Sequence, residues 1–488
     1  MRLVPGYVAG SDSGGLNSSM QYSDTIDERH DLDTGTGAAS DDIALDYISF
    51  VHQTQWDDLP ESVRRMAGVC VLDLLGVAAS GTQTELSGVI RTHALEQWAS
   101  ASKHGARLLF DGRVVSASGA ALANGMTIDA VDAHDGYRPS KGHAGCGLLP
   151  GILALYEYQQ KPVSLQELLL SVVIGYEIAC RAGVALHDSV ADYHTSGAWV
   201  AVAVAAVGAR ILSLSAEQTR EAVGIAEYHG PRSQMMRVID HPSMLKDGSG
   251  WGSMAGVSAV LLARDGFTGA PAVTLEAAGV QDNWRELGSR WLIEEQYFKP
   301  VPVCRWAQPA IMASRELQVQ HGFKVSDIKK LTIGSFHESV RLAMRAPQTT
   351  EHAQYSLPYP VAAVLVHGQL GVAEVNKPLL FNKEVVALSQ AIELEEIPAY
   401  NDVFPEQRFS HVNIELNDGR LLESGPVEAI GDPDKPLPDG VLEQKFLDFA
   451  SPVIGNDRAV RIRQLLLDND PQAYMLQDLA ELIYSPGR

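Results

Sequence analysis

Cysteine, positive charge and long apolar runs are all scarce in this chain, and each shortage narrows what it can do. The four cysteines, Cys70, Cys146, Cys180 and Cys304, lie far apart and form no CxxC pair. That excludes a disulfide framework and a zinc knuckle and leaves ordinary intracellular usage. Lysine and arginine number 38 against 60 acids, for a formal net charge of −22. Non-specific nucleic-acid binding needs a basic face, so no nucleic-acid partner is expected. An anionic substrate would need a local basic pocket. The longest apolar run, Ala198 to Ala209, is too short to span a bilayer, and no apolar core follows Met1 and Arg2 as in a signal peptide. The expectation is a soluble, cytoplasmic protein with no membrane partner.

Helical patterning dominates what is present. With 488 residues, two or three domains are the prior. Residues 1–40, rich in Gly, Ser, Asp and Thr, read as a flexible tail. Asp41-Asp42 and Pro60-Glu61 each open a helical pattern. Leu108 to Val115 reads as a hairpin around the turn Asp111-Gly112. Ser118 to Met126, Leu148 to Gln159, Leu165 to Val184, Trp199 to Leu212, Ala216 to Ala226 and Met254 to Arg264 carry helical periodicity. Near residue 300 the pattern changes. Ile328 to Phe336 and Ser410 to Leu416 read as strands, and Pro309 to Gln318 and Pro360 to Val366 as helices. Leu442 to Ala450 and Arg458 to Asp468 are expected to return to the first helical unit. The expected fold is mainly α: a helical domain over 41–298, an α+β domain over 299–435, and closing helices over 436–488.

One stretch organises the chain, Asn124 to Pro150, NGMTIDAVDAHDGYRPSKGHAGCGLLP. Asp132, His134, Asp135, Lys141, His143 and Cys146 crowd a glycine-containing loop between two apolar helices. Ionisable side chains on a loop held by rigid elements are suited to chemistry. A solvated turn is the plainer reading of the same residue types.

Three further clusters interrupt apolar surroundings. Asp192 to Gly197 (DYHTSG) precedes an Ala-rich helix, where His194, Thr195 and Ser196 either meet an anion or simply cap. Pro242 to Gly252 places Lys246 beside a glycine-rich run that includes Ser249 but is too irregular for a phosphate loop. Tyr297 to Trp306 sets Lys299 and Arg305 among aromatics and prolines. A metal site from Asp132, His134, Asp135, His143 and Cys146 fits no standard spacing, and Gly248-Ser249-Gly250 lacks the frame of a nucleophile elbow. No metal is expected.

Taken together, ANGMTIDAVDAHDG, GHAGCGLLPGILA, YHTSGAWVAVAVAA, MLKDGSGWGSMAG, FKPVPVCRWAQPAIMA and QYSLPYPVAA resemble the MmgE/PrpD family, from about residue 41 onward. The resemblance implies a large helical domain built from both chain ends, with a smaller inserted α+β lid. It also implies a homodimer, no cofactor, and an active site between the domains. Carried over, Asp132, His143, His194, Lys246 and Lys299 are the expected catalytic residues. His134, Lys141, Thr195, Ser249 and Arg305 are expected to bind substrate. The chain departs from the family pattern at Gly136, where a Thr is common, at His134, which replaces an acid, and at Gln308, where a His is common.

The family reactions place negative charge on a carbon beside a carboxylate, which calls for fixed cationic donors and a tuned proton carrier. Lys246, Lys299 and His194 are expected to hold carboxylates, and Asp132 to orient His143 as the proton carrier. The expected function is a cofactor-independent lyase acting on a small di- or tricarboxylate, first a 2-methylcitrate dehydratase-like hydro-lyase. A cis-aconitate decarboxylase-like carboxy-lyase comes second and an iminodisuccinate epimerase-like isomerase third. A degenerate dimeric carboxylate-binding protein is the non-enzyme alternative.

Overall fold

Glycine at the right helix face decides how the two ends of this chain meet. In the computed structural model, which describes residues 47–100 and 104–487, the helix Glu61–Gly81 follows Pro60 and buries most of its length. At Gly76 an added Cβ would lie 2.9 Å from Phe446, and at Gly68 it would run into the Leu466 carbonyl. Helix Val441–Ile454 and the turn Gln464–Asp468 dock into these notches. One hydrophobic cluster therefore runs from Tyr47 to Phe298 and resumes from Phe446 to Tyr484. The tail over 1–40 and the helix start at Asp41-Asp42 lie outside the described residues.

The fold is mainly α, as the periodicity predicts. Helices Ala117–Asp129, Gly145–Gln159, Leu165–Ser189, Gly197–Ile211, Ala216–His229 and Ser249–Arg264 build the larger core. Several start at side-chain caps: Ser116, Ser164 and Ser215 each accept an amide N–H three residues on. Leu165–Ser189 is long and apolar enough to cross a membrane, yet 94 % of its apolar window is buried in protein. It also carries a buried Glu177–Arg181 ion pair. It is a core helix by packing.

A second hydrophobic cluster gathers residues from Val303 to Leu422, joined by Met235, Val238 and Ile239 from the first part of the chain. Its sheet has Ile328–Ser335 between a parallel neighbour, Glu393–Glu396, and an antiparallel one, Ser410–Leu416, with Leu421–Glu423 at the edge. Ser410–Leu416 alternates buried and half-buried residues, the period of a strand covered on one face. Helices Gln308–His321 and Pro358–His367 pack beside it.

Three local readings change. The hairpin strands are Gly105–Arg107 and Val114–Ser116, not the apolar residues between them. Leu108, Leu109 and Phe110 instead form a buried loop, because Asn124 Oδ1 and the Ile483 carbonyl accept the N–H groups of Leu109 and Phe110 at 2.8 and 2.6 Å. The helix expected from Met254 begins earlier, inside the glycine-rich run after Lys246. Ser249–Arg264 is helical, and Cβ atoms at Gly250 and Gly252 would strike the carbonyls of Leu122 and Gly197. These glycines let helices touch. The helix Glu85–Gln97, capped by Thr84, escaped the periodicity reading because its buried face is narrow.

Gly252→Ala should therefore destabilise by about 1–3 kcal/mol, since backbone lies against the site. Gly88→Ala, on an exposed helix position with nothing within 4 Å, should stabilise by about 0.5–1 kcal/mol. Urea unfolding of both variants checks the pair.

Candidate active site

The loop between helices Ala117–Asp129 and Gly145–Gln159 is not a solvated turn. Asp132, His134, Asp135 and His143 are 3, 0, 0 and 9 % exposed. Burial of so many ionisable groups demands partners, and the partners come from the whole molecule. Tyr176 donates to Asp135 Oδ2 at 2.6 Å. Lys445, from helix Val441–Ile454, reaches Asp73 Oδ1 at 2.6 Å and the Ala133 carbonyl at 2.5 Å. Gln354, from the segment feeding the second core, accepts the Asp132 N–H at 2.9 Å and donates to the Ala130 carbonyl at 3.1 Å.

Lys299 and Asp132 form a fully buried ion pair. Burial alone would raise the Asp132 carboxyl, but Lys299, with Lys246 behind it, holds it well below the usual range. Lys299, which burial would lower, is raised by Asp132. Lys246 has a left-handed backbone, φ 50°, and donates to Gln354 Oε1 at 2.7 Å with its ammonium 4.6 Å from the Tyr355 ring centre.

The Asp135 carbonyl, not the Asp132 carboxylate, orients His143. Nδ1–H donates to that carbonyl at 2.6 Å, which fixes the tautomer and leaves the Nε2 lone pair free. The His143 backbone N–H donates to Ser196 Oγ at 2.9 Å, and Ser196 donates on to Asp247 Oδ2 at 2.7 Å. Burial, then Lys299 and His134, push the imidazole well below 6.5, so it is neutral. Asp247, 3.9 Å from His143 Nε2, moves the other way: burial and Asp129 raise its carboxyl. Asp135 is pushed up to about 7, first by burial, against the lowering effect of the Tyr176 hydroxyl.

Asp132, His143, Lys299, Lys141 and Arg305 line one small cavity of about 20 Å³ with Asp247, Tyr355 and Arg408. That volume admits little more than a water molecule, so the cleft is closed in this structure. Other expected residues stand elsewhere. His194 turns its Nδ1 to the Asp192 carbonyl at 2.9 Å and does not line the cavity. Thr195 and Ser249 are buried behind it, Ser249 accepting from Cys146 Sγ at 3.0 Å. His134 lies below His143, edge to face at 4.4 Å. Lys246 does not itself line the cavity and stands behind Tyr355 and Gln354. Arg305 faces the cavity but is already satisfied by Asp432 and the carbonyls of Ala429 and Ile430, so the expected substrate-binding role is not available to it without breaking those bonds.

The departures have structural reasons. A Cβ at Gly136 would lie 2.5 Å from the Tyr297 hydroxyl and 2.7 Å from His143 Nδ1, so a Thr does not fit. Gln308 is fully buried and braces the carbonyls of Val301 and Val303 at 3.3 and 3.1 Å, away from the cavity. The side-chain atoms of Asp132, His134 and His143 lie within 4.8 Å of one another, a spacing a metal ion can use. Lys299 already neutralises Asp132, so a cation would have to displace an ion pair. Asp135 and Cys146 point away, to Tyr176 and Ser249.

Sequence reasoning missed Asp247, Gln354, Tyr355 and Arg408. Asp247 stood beside Lys246, and Gln354-Tyr355 stood inside QYSLPYPVAA. For Arg408 no local signal existed.

Residues 46–285 match the MmgE/PrpD N-terminal domain, and residues 301–469 match the MmgE/PrpD C-terminal domain. The chain belongs to the MmgE/PrpD family. Among its relatives is a cis-aconitate decarboxylase-like protein of Aspergillus oryzae, 25 % identical over 75 % of this chain and 81 % of the relative. The cis-aconitate decarboxylase of Mus musculus is 24 % identical over 84 % of this chain and 87 % of its own. The 2-methylcitrate dehydratase of Escherichia coli K12 is 26 % identical over 63 % and 70 %. These family relatives are lyases by name.

Burial and then Lys299 hold the His143 imidazole below its ordinary range, so Lys299→Met should raise its pKa, with burial still opposing. Histidine NMR titration of the two proteins reads this shift without any substrate.

Proposed function

We propose that the chain is a cofactor-independent lyase that transfers a proton at carbon on a small di- or tricarboxylate, with dehydration, as in a 2-methylcitrate dehydratase-like hydro-lyase, as the first reading. The observation that carries it is a neutral imidazole, its Nδ1 committed to a carbonyl, whose free Nε2 faces a cavity shared with a lysine and an arginine.

In this reading Lys299, one N–H paired with Asp132, turns a remaining N–H to the carboxylate next to the reacting carbon, with Lys246 behind it. His143 Nε2 takes the proton from that carbon. The electron pair spreads into the carboxylate, where the lysines stabilise it. The neighbouring hydroxyl then leaves with a proton, for which the raised Asp247 carboxyl is placed. Asp132 acts by fixing Lys299. A second reading, decarboxylation, is favoured by coverage: the Mus musculus decarboxylase aligns over 84 % of this chain and the Escherichia coli dehydratase over 63 %. There the C–CO₂ bond breaks, CO₂ leaves, the electron pair stays on carbon where the same donors stabilise it, and the raised Asp247 carboxyl gives that carbon a proton.

The closed cavity requires an opening motion. The two hydrophobic clusters support a lid over about 299–435 resting on a helical domain of 41–298 and 436–488. The family resemblance supports a homodimer, and cysteine usage a cytoplasmic one.

Proton NMR in D₂O, with EDTA-treated protein and 2-methylcitrate, citrate, cis-aconitate and iminodisuccinate, separates loss of water, loss of CO₂ and deuterium exchange. Turnover should survive EDTA, and His143→Ala should lower it by about 10²–10⁴-fold. Near-wild-type turnover in that variant would overturn the assignment.

A further inference from the structure

Four arginines are buried among the described residues: Arg91, Arg181, Arg305 and Arg408. Three have a carboxylate within 4.0 Å, respectively Asp111, Glu177 and Asp432. Arg408 has none. It is 7 % exposed, its Nε is buried without a partner, and the one hydrogen bond of its guanidinium runs from Nη2 to the Arg138 carbonyl at a long 3.3 Å. The acid that meets its backbone does not serve its guanidinium. Glu428 accepts the Arg408 backbone N–H at 3.4 Å and pairs with Lys435 at 2.8 Å. An arginine stays charged at any working pH, and a buried, unpaired guanidinium is costly. It persists where the missing anion arrives from outside.

The cavity it lines holds a second cation without a carboxylate partner, the half-buried Lys141. Lys141 has a left-handed backbone, φ 53°, and its ammonium sits 5.6 Å from the Tyr193 ring centre with no carboxylate within 4.0 Å. Lys299, by contrast, is committed to Asp132, and Arg305 to Asp432. The cavity thus separates into an end where charge is already paired, next to His143, and an unpaired cationic pair.

We propose that Arg408 and Lys141 form a receptor for a substrate carboxylate remote from the reacting carbon, so that the site selects acids with an additional carboxylate, tricarboxylates above dicarboxylates. This deepens the lyase reading and rests on it. The guanidinium offers a fork that matches a carboxylate bidentately. Its position adds a consequence. Arg408 precedes strand Ser410–Leu416 of the second core, whereas Lys141 lies on the loop of the first. A carboxylate held by both would bridge the two cores.

Calorimetric titration with tricarballylate and glutarate, neither of which carries the hydroxyl or double bond the reaction needs, tests this without turnover. Wild type should bind tricarballylate at least tenfold more tightly than glutarate. Arg408→Gln should reduce that ratio to within twofold, and Arg408→Lys should keep part of it. In turnover assays Arg408→Gln should raise KM tenfold or more with kcat within threefold. If Arg408→Gln does not fold, Lys141→Met should show the same loss of preference. An unchanged preference in the folded variants overturns the inference and leaves the lyase reading standing. A wild type that turns over a polycarboxylate but shows no preference between the two acids also overturns it. Failure of wild type to bind or turn over any polycarboxylate overturns both.

Discussion

Lys299 and Asp132 join two stretches of chain that answer to different cores. Asp132 sits on the loop that closes the helical core, and Lys299 follows Phe298, the last residue of that core before the chain crosses to Val303 and the second one. Both charges are removed from water, so each needs the other: deleting one partner of such a pair typically costs about 3–5 kcal/mol. The pair also sets the electrostatics around it. It keeps Asp132 ionised, and its lysine adds to burial in keeping His143 neutral.

Around that pair the molecule uses backbone carbonyls where a sequence reading expects side chains. The Asp135 carbonyl holds His143, the Ala133 carbonyl holds Lys445, and the Ala130 carbonyl holds Gln354. A carbonyl orients without titrating, so the imidazole keeps a single tautomer whatever the state of neighbouring acids. Gln354 works in the same way from the opposite side, bridging Lys246 and the Asp132 amide with one oxygen. A neutral bridge lets Lys246 approach the site without a second carboxylate competing for substrate.

The glycines explain why helices rich in alanine can deliver these groups so closely. Gly250 and Gly252 bring helix Ser249–Arg264 onto its neighbours, and Gly145 leaves room for the Tyr176 hydroxyl that reaches Asp135. The MLKDGSGWGSMAG run was legible as a site because Lys246 stands in it. Its glycines are packing contacts. His194 shows the opposite limit. Its motif is clear, yet which way an imidazole turns is decided by the nearest acceptor, here the Asp192 carbonyl.

By itself the sequence determined the helical periodicity, the change of pattern near residue 300, and the membership of Asp132, His143 and Lys299 in one kind of site. Those follow from local spacing and from residue types that recur in order. Tertiary structure alone decided the charge states and the partners. Asp132 lies 167 positions from Lys299, and Arg408 lies 270 positions from the carbonyl it touches. No pattern along the chain encodes such pairings. Burial at the seam of two cores creates them, because an ionisable group taken out of water must find its partner wherever the fold has brought one.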